Sequence, residues 1–439
     1  MKREKPMKQL RASRNGAAPR RGAADGPRGG RGQALLMALA ILVFVLPLGI
    51  TLSKYVQQTM KSAMAERRQK NASQTANNAM TDYMRQFSQD ANNGHYDLDA
   101  LSRPETFYDA GYSTVTFEAD EADRSLYVSA RGVAGSSEKG IEALVRFVSD
   151  LTQYGNMFNG AASLGYSNIV YSGGFYVNGN FSTSGTNMTF TGPLIVKGNL
   201  TAATGKPVSV TGDLYYTGTK SGVWNVGGTT YKYAPSVTWP TLDFNYYEAH
   251  YTFKSTRTVE IIFYTTGTFR VVGGASYAIP ANGAIIYAYN ANLKLRGAVS
   301  GRVTAVAVST AASNCTSTTA QTGRVIFNGS LYYASGSSIS ASSSNSFAAL
   351  AKNCIEWNAL SCSPNNIVTV GVHFVEQGLN NMKDTSCPTG YQWIYGVRTQ
   401  VITGSGYMGG TSIIYDPNLV TYPPPGLPEK AQLVNYRML

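Results

Sequence analysis

Hydrophobic positions fall into three successive regimes along this chain. From Ala34 to Leu52 they are continuous: ALLMALAILVFVLPLGITL runs nineteen residues without a charge. At 1.5 Å per residue a helix of that length reaches about 28 Å, the thickness of a bilayer's hydrocarbon core. Pro47 and Gly49 would weaken a soluble helix but are tolerated in a membrane span. From Lys54 to Gln89 there is neither Gly nor Pro, and Ala72, Ala76, Ala79, Tyr83 and Phe87 recur every three or four residues. That spacing is one apolar stripe of an amphipathic helix. The pattern predicts a single helix from about Ala34 to Gln89, its first third in lipid and its last third packed on a domain. Asp90 and the turn Asn92-Asn93-Gly94 end it.

Alternating patterns follow. Ser113–Glu118 (STVTFE) and Ser125–Arg131 (SLYVSAR) read as strands around an acidic turn, Ala119–Arg124, and Glu138–Val148 is a third apolar run, helix or strand. Beyond about residue 156 a short motif recurs: apolar, any, Gly, Asn or Asp, apolar. It appears at Val177–Phe181, Val196–Leu200 and Val210–Leu214, with glycines 19 and 14 residues apart. Ala291–Val306, with Gly297 and Gly301, and Val325–Tyr332, with Asn328-Gly329, continue the texture. Short strands punctuated by Gly and Asn suit a parallel β-solenoid, with those residues taking left-handed conformations at the corners. A β-sandwich or jelly roll is the alternative. The fold class expected is therefore mainly β: a long N-terminal transmembrane α-helix, a small α+β collar and a large C-terminal parallel β-solenoid. The segments are 1–32, a basic cytoplasmic leader; 33–90, helix; 91–155, collar; 156–420, β-domain; and 421–439, a proline-rich tail.

Composition supports this division. Charged residues make up 14% of the 439, Gly numbers 45 and Tyr 29, a profile of many short strands and polar turns rather than a helical bundle. Of the net charge of +12, +8 sits in residues 1–32, where ten Lys and Arg face only Glu4 and Asp25. Placed before an apolar run, such a cluster holds the N-terminus in the cytoplasm, a better account of it than nucleic-acid binding. A cleaved secretory signal fits less well, because the run is long and no A-x-A site follows. Cys315, Cys354, Cys362 and Cys387 then lie outside, where disulfides persist. Their spacing does not match a zinc site. Two disulfides are expected, with three connectivities open.

The run Arg31-Gly32-Gln33-Ala34-Leu35-Leu36, the apolar stretch ending in Leu48-Gly49, and Glu66-Arg67-Arg68-Gln69-Lys70-Asn71-Ala72 with its spaced alanines resemble the N-terminal region of PilX-family type IV pilus assembly proteins. They are also similar to the K-type minor pseudopilins of type II secretion. The resemblance covers about residues 31–90. It implies cleavage between Gly32 and Gln33 by a prepilin peptidase on the cytoplasmic face, methylation of the new N-terminus, and packing of the helix into a filament core. Gln33 stands where Phe or Met is usual. Met37 stands where an acidic residue is usual, an absence shared with K-type pseudopilins and associated with the filament tip. The Tyr422-Pro423-Pro424-Pro425-Gly426 ending is similar to that of β-solenoid-like regions on some PilX-type proteins. The partners implied are the inner membrane, other pilins or pilus assembly proteins, and the prepilin peptidase, with a surface ligand or polysaccharide for the β-domain and no nucleic acid.

Catalysis finds little footing. The acids after residue 156 are Asp213, Asp243, Glu248, Glu260, Glu356, Glu376, Asp384, Asp416 and Glu429, with no close pair among them, whereas glycoside chemistry needs two converging carboxylates. Glu248-Ala249-His250 and His373 with Glu376 read as surface polar pairs. The three histidines, His95, His250 and His373, are too few for a His-rich metal centre, and no catalytic, cofactor or metal residue is assigned. The expected protein is a single-pass bacterial membrane protein with a periplasmic or extracellular β-domain, a non-catalytic structural or adhesive component of a pilus or related filament. The rival class is a membrane-tethered carbohydrate-active β-helix enzyme. A self-polymerising scaffold would need bare ends, which the collar and tail are expected to cover. Protein recovered natively from the cell envelope should show no thiol open to alkylation at any of the four cysteines; four reactive thiols would place the β-domain in the cytosol.

Overall fold

The computed structural model describes residues 31–438 except 91–104, 109–111, 121–123, 166, 238, 312–320, 336–343, 358–365, 377, 381–390 and 401–410. The basic leader before residue 31, the helix-ending turn at 92–94 and part of the acidic turn at 119–124 thus lie outside the described residues. The chain divides into two compact units, Met1–Arg67 and Arg68–Leu439. In the first, helix α1 (Arg31–Asp90) begins. Its apolar side chains from Leu36 to Leu52 face outward, and the helix is long and apolar enough to cross a membrane. Pro47 removes one backbone donor inside it, and the Thr51 hydroxyl donates to the Pro47 carbonyl.

In the second unit the rest of α1, from Arg68, lies on an antiparallel sheet. The strands are β1 (Glu105–Tyr108), β2 (Tyr112–Asp120), β3 (Ser125–Ala134) and β4 (Ser137–Val148), joined by the C-terminal strand Lys430–Met438. The run of uncertain type at 138–148 is thus a strand. Ala72, Ala76, Ala79 and Tyr83 of the expected stripe are buried with Met80, and the last four of these residues pack with Val115, Leu126, Val128, Ile141, Val145 and Phe147. The side chain of Phe87 lies outside the described residues. Small residues are needed here because helix and strand touch backbone to backbone. A Cβ on Gly132 of β3 would run into the Ala72 carbonyl and the Ala76 amide. Arg124, half-buried, clamps the returning chain by donating from Nε and Nη2 to the two oxygens of the buried Glu429 at 3.0 and 2.5 Å.

The β-domain is built of stacked parallel strands. One ladder runs Ile169–Ser172, Met188–Thr191, Val208–Val210, Trp224–Val226. A second runs Asn156–Phe158, Phe175–Val177, Leu194–Val196, Leu214–Tyr216, Thr230–Tyr231. A third runs Ala162–Leu164, Phe181–Thr183, Leu200–Ala202, Lys220–Ser221. Each full rung contributes one strand to each ladder, and Thr230–Tyr231 extends the second ladder alone. All three pair in parallel, unlike the antiparallel sheets of an immunoglobulin-type sandwich. Their inward side chains form one core in which Tyr171, Phe175, Phe181 and Phe190 pack ring on ring at 5.0–5.8 Å.

The motif glycines have a different reason from the one their sequence suggests. Gly179, Gly198 and Gly212 do not take positive φ; they sit where backbone crosses backbone. A Cβ on Gly198 would lie 2.6 Å from the Gly179 carbonyl carbon, and one on Gly218 would lie 2.9 Å from that of Gly198. The following Asn serves the next rung. Asn180 Oδ1 accepts from the Asn199 amide at 2.8 Å, and Asn199 Oδ1 from the Thr219 amide at 2.9 Å. The 19-residue spacing is therefore one rung. The 14-residue spacing is a change of corner, because Gly212 stacks under Gly192 instead. Positive φ is found instead at Gly173, Gly192, Gly222, Gly297 and Gly301, and at Asn168 (62°) and Asn187 (53°), where Asn187 Nδ2 donates to Asn168 Oδ1 at 3.0 Å.

The described residues between 253 and 414 form further parallel rungs of irregular length, with an antiparallel excursion Val259–Tyr264, Thr268–Val271, Ser276–Ala278. The strands Phe253–Ser255, Ala284–Tyr289, Arg302–Val308, Ser346–Ala351, Asn366–Val375, Tyr391–Gln400 and Thr411–Ile414 lead back to Ile169–Ser172 in one sheet. The chain thus starts stacking in the middle, runs out to Tyr231, crosses over, and returns from the far end. Ala291–Val306 is not one run but two strands, Leu293–Val299 and Arg302–Val308. Among the described residues, the collar and tail do not pair with the strands of the outward-running end. The collar enters beside the junction, and the tail lies along the returning rungs, where Thr304 Oγ1 donates to the Pro425 carbonyl at 2.6 Å. Among the described residues, the strands Trp224–Val226, Thr230–Tyr231 and Lys220–Ser221 pair on one side only. Valine in place of Gly132 should cost about 1–3 kcal/mol, as overpacking does, and should speed hydrogen exchange in β2–β4 first. Unchanged melting and exchange would contradict the backbone contact with α1.

Candidate functional site

Most of the described acidic residues of the β-domain are committed to a local structural task. Asp213 Oδ1 accepts from the Thr229 amide at 2.8 Å, and its other oxygen accepts from the Tyr215 hydroxyl at 3.2 Å. Asp243 caps the short helix Phe244–Ala249 by accepting from the Asn245 amide at 3.0 Å. Glu248 pairs with Lys254 at 2.9 Å and Glu260 with Arg296 at 2.7 Å. Glu356 pairs with Arg324 at 2.7 Å, both buried. Asp384 lies outside the described residues. Among the described residues no three His, Cys, Asp or Glu side chains gather to hold a metal.

The two histidine pairs are not surface polar pairs on strands. Glu248 sits on the short helix and His250 at its end, where the imidazole stacks on Tyr246 at 4.2 Å and Nδ1 meets the Tyr246 carbonyl at 2.8 Å. Glu248 turns instead to Lys254. His373 is fully buried between Phe327 and Trp357, ring centroids 5.2 and 5.9 Å away. Its inward course follows from the register, which sets it beside Ala349 of the core.

The other residues singled out in the sequence fall as follows. Gly32 and Gln33 are helical, within the first turn of α1. Cys354 is buried at the start of the strand Cys354–Trp357 and is disulfide-bonded. Cys315, Cys362 and Cys387 lie outside the described residues, as does the pairing.

What the fold assembles on its surface is columnar. Side chains at equivalent positions of successive rungs line up about 4.8 Å apart. Ser163, Ser182, Thr201 and Ser221 form one outward column, and the Ser182 hydroxyl donates to Ser163 at 3.0 Å. Val170, Thr189, Ser209 and Asn225 form another. The third is apolar and aromatic: Met157, Tyr176, Ile195, Tyr215, Tyr231. Its inner part is covered by Tyr154, Ala234, Val237 and Trp239. Its outer part is not. Tyr215 and Tyr231 stack at 4.8 Å, and Tyr233, 56% exposed, meets them at 5.8 and 5.5 Å. This column was hidden in the sequence, although one signal existed. Phe175-Tyr176-Val177, Leu194-Ile195-Val196 and Leu214-Tyr215-Tyr216 are unbroken apolar triplets, and in a strand the middle residue must point to the opposite face.

Burial shifts the inner titrating groups. It raises the carboxyls of Asp416 and Glu356; hydrogen bonds from Asn418 and Tyr333 oppose the rise at Asp416, and the Arg324 charge opposes it at Glu356. It pushes Tyr287 and Tyr415 up to about 12. A carboxyl raised in the folded state binds its proton more readily there than in the unfolded chain. Its stabilising share is present at low pH and is lost as pH rises through the folded value. Asp416→Asn should therefore flatten the fall in melting temperature between the ordinary carboxylate range and the raised one. The same slope in wild type and variant would show that Asp416 is not the group concerned.

No family model matches the chain, and no curated protein does. Among solved structures it is similar to the competence-associated pilin ComZ from Thermus thermophilus, at 11% identity and a TM-score of 0.36, over 85% of this chain and 97% of that one. A likeness of that degree decides nothing about this chain.

Proposed function

We propose that the protein is a minor-pilin-like component of a type IV pilus or a related secretion filament, structural or adhesive and without catalysis. The observation that carries this reading is the single helix Arg31–Asp90, apolar and outward-facing at its start, and packed through Ala76, Ala79, Met80 and Tyr83 on an antiparallel sheet toward its end. That is the part a prepilin needs: a segment that rests in the membrane, joined without a break to a folded head. The basic leader and Gly32-Gln33 supply what the peptidase would read. The N-terminus then lies in the cytoplasm, the span crosses the inner membrane once, and the β-domain faces the periplasm or the outside. The absence of an acid at Met37 departs from the usual pattern and fits the K-type pseudopilin resemblance and a place at the filament tip.

In this reading the parallel ladders with their 19-residue rungs are coils of a β-solenoid, and the four cysteines form two disulfides that hold its irregular half. The columns of Ser, Thr and Tyr serve as a binding surface. A tethered carbohydrate-active enzyme is less well supported, since most of the described acids bind local amides, tyrosines or basic side chains rather than converge.

Mass spectrometry of the mature chain tests the proposal. An N-methylated Gln33 is expected in wild type and in Met37→Glu, and unprocessed chain in Gly32→Trp. Normal maturation of Gly32→Trp, or an intact Met1 in envelope-purified wild type, would leave a plain membrane anchor.

A further inference from the structure

We propose that the uncapped outer corner of the outward-running stack, formed by Tyr215, Tyr231 and Tyr233 with Lys197, Lys220 and Lys232, binds an acidic polysaccharide. This gives the adhesive side of the proposed function a ligand class, and it rests on that reading only for the exposure of the β-domain outside the cell.

The corner is set by register. Tyr215 pairs with Tyr231, and Lys232 and Tyr233 follow directly. Lys197 directly follows Val196, which pairs with Tyr216, so it approaches the corner from the rung below. Lys220 lies on the last strand of the third ladder, which has no strand beyond it among the described residues. These strands end the stack, so nothing in the described chain lies over the outermost rung.

Charge is the second observation. Between residues 156 and 239 the acids reduce to Asp213, against Lys197, Lys206, Lys220 and Lys232. Asp213 is committed to the Thr229 amide and the Tyr215 hydroxyl, and Lys206 donates to the Ser184 carbonyl at 2.6 Å. Lys220 and Lys232 are exposed and, like Lys197, form no ion pair among the described residues. Lys232 between Tyr231 and Tyr233 and Lys197 on the rung below, with Lys220 on the neighbouring ladder, outnumber the single carboxylate Asp213 and favour an anion that also offers an apolar face.

The tyrosine geometry selects among such anions. Tyr215 and Tyr231 lie nearly parallel, with 14° between their planes, and occupy one another's faces. The exposed ring is that of Tyr233, inclined to both. A single-stranded nucleic acid needs successive free ring faces for its bases. A sugar ring needs one, with hydroxyl and amide partners at its rim, and Asn225, Thr229 and Thr230 stand exposed on the same rung. A polyuronate, with a carboxylate on every sugar, meets both the ring and the lysines.

The test uses the full-length protein in lipid nanodiscs, titrated by calorimetry with alginate oligosaccharide, neutral dextran or single-stranded oligo-dT. Alginate should bind, dextran should not, and oligo-dT should bind more weakly than alginate. Tyr233→Ala and Lys232→Glu should each weaken alginate binding about tenfold, the scale of one ring or charge contact, while Tyr233→Phe keeps it. No alginate binding, alginate binding indifferent to both substitutions, or equal or tighter binding of oligo-dT would overturn the proposal. None of these readouts depends on leader processing or filament assembly, so failure here is separable from failure of the pilin reading.

Discussion

Where Gly179, Gly198 and Gly218 lie one above another, the backbone of one rung rests directly on the backbone of the next. Parallel strands on either side of that corner can hydrogen-bond only if the rungs stay close to the ladder spacing all the way round. A single Cβ at the crossing would pry them apart on both flanks. The asparagine after each of the first two glycines completes the arrangement by accepting an amide that the corner would otherwise leave unpaired. With the rungs so held, the inward rings of Tyr171, Phe175, Phe181 and Phe190 come within packing distance. Outward side chains are forced into columns by the same spacing. The hydroxyl faces and the tyrosine corner are thus consequences of the stacking rather than separate inventions.

The path of the chain decides where those surfaces are free. Because stacking begins in the middle, the returning rungs can close onto the first ones, with Ile413 opposite Tyr171 and Arg398 opposite Asn156. The Tyr415 hydroxyl donates to the Thr152 carbonyl at 2.7 Å, and its amide donates to Ser172 at 2.6 Å, which fixes the seam. From there the chain lies along the returning rungs and enters the collar as its fifth strand, clamped by Arg124 and Glu429. Both ends of the second unit therefore meet in one small sheet. Among the described residues the outward-running end gains no cover from the C-terminal tail, and it keeps its strands short, with glycines between them and Lys220 on one of them, which discourages edge-to-edge association while leaving the surface open.

The sequence by itself determined what depends on neighbours along the chain. The apolar run at 34–52, the 4-3-4 spacing of Ala72, Ala76, Ala79 and Tyr83, and the strand patterns at 113–118 and 125–131 all emerge as read, because helix and strand periodicities are local. The 19-residue motif repeat likewise carries the rung length. Only the tertiary structure decided which rung sits on which. Gly212 shares its motif with Gly198 but belongs to another corner, since stacking partners are chosen by closure of the whole rung and not by the five residues around the glycine. The inward turn of His373, the return of the chain from the far end, and the gathering of Tyr215, Tyr231 and Tyr233 with the lysines were illegible for the same reason. Each depends on hydrogen bonds between residues many positions apart, whose choice rests on the packing of the assembled core.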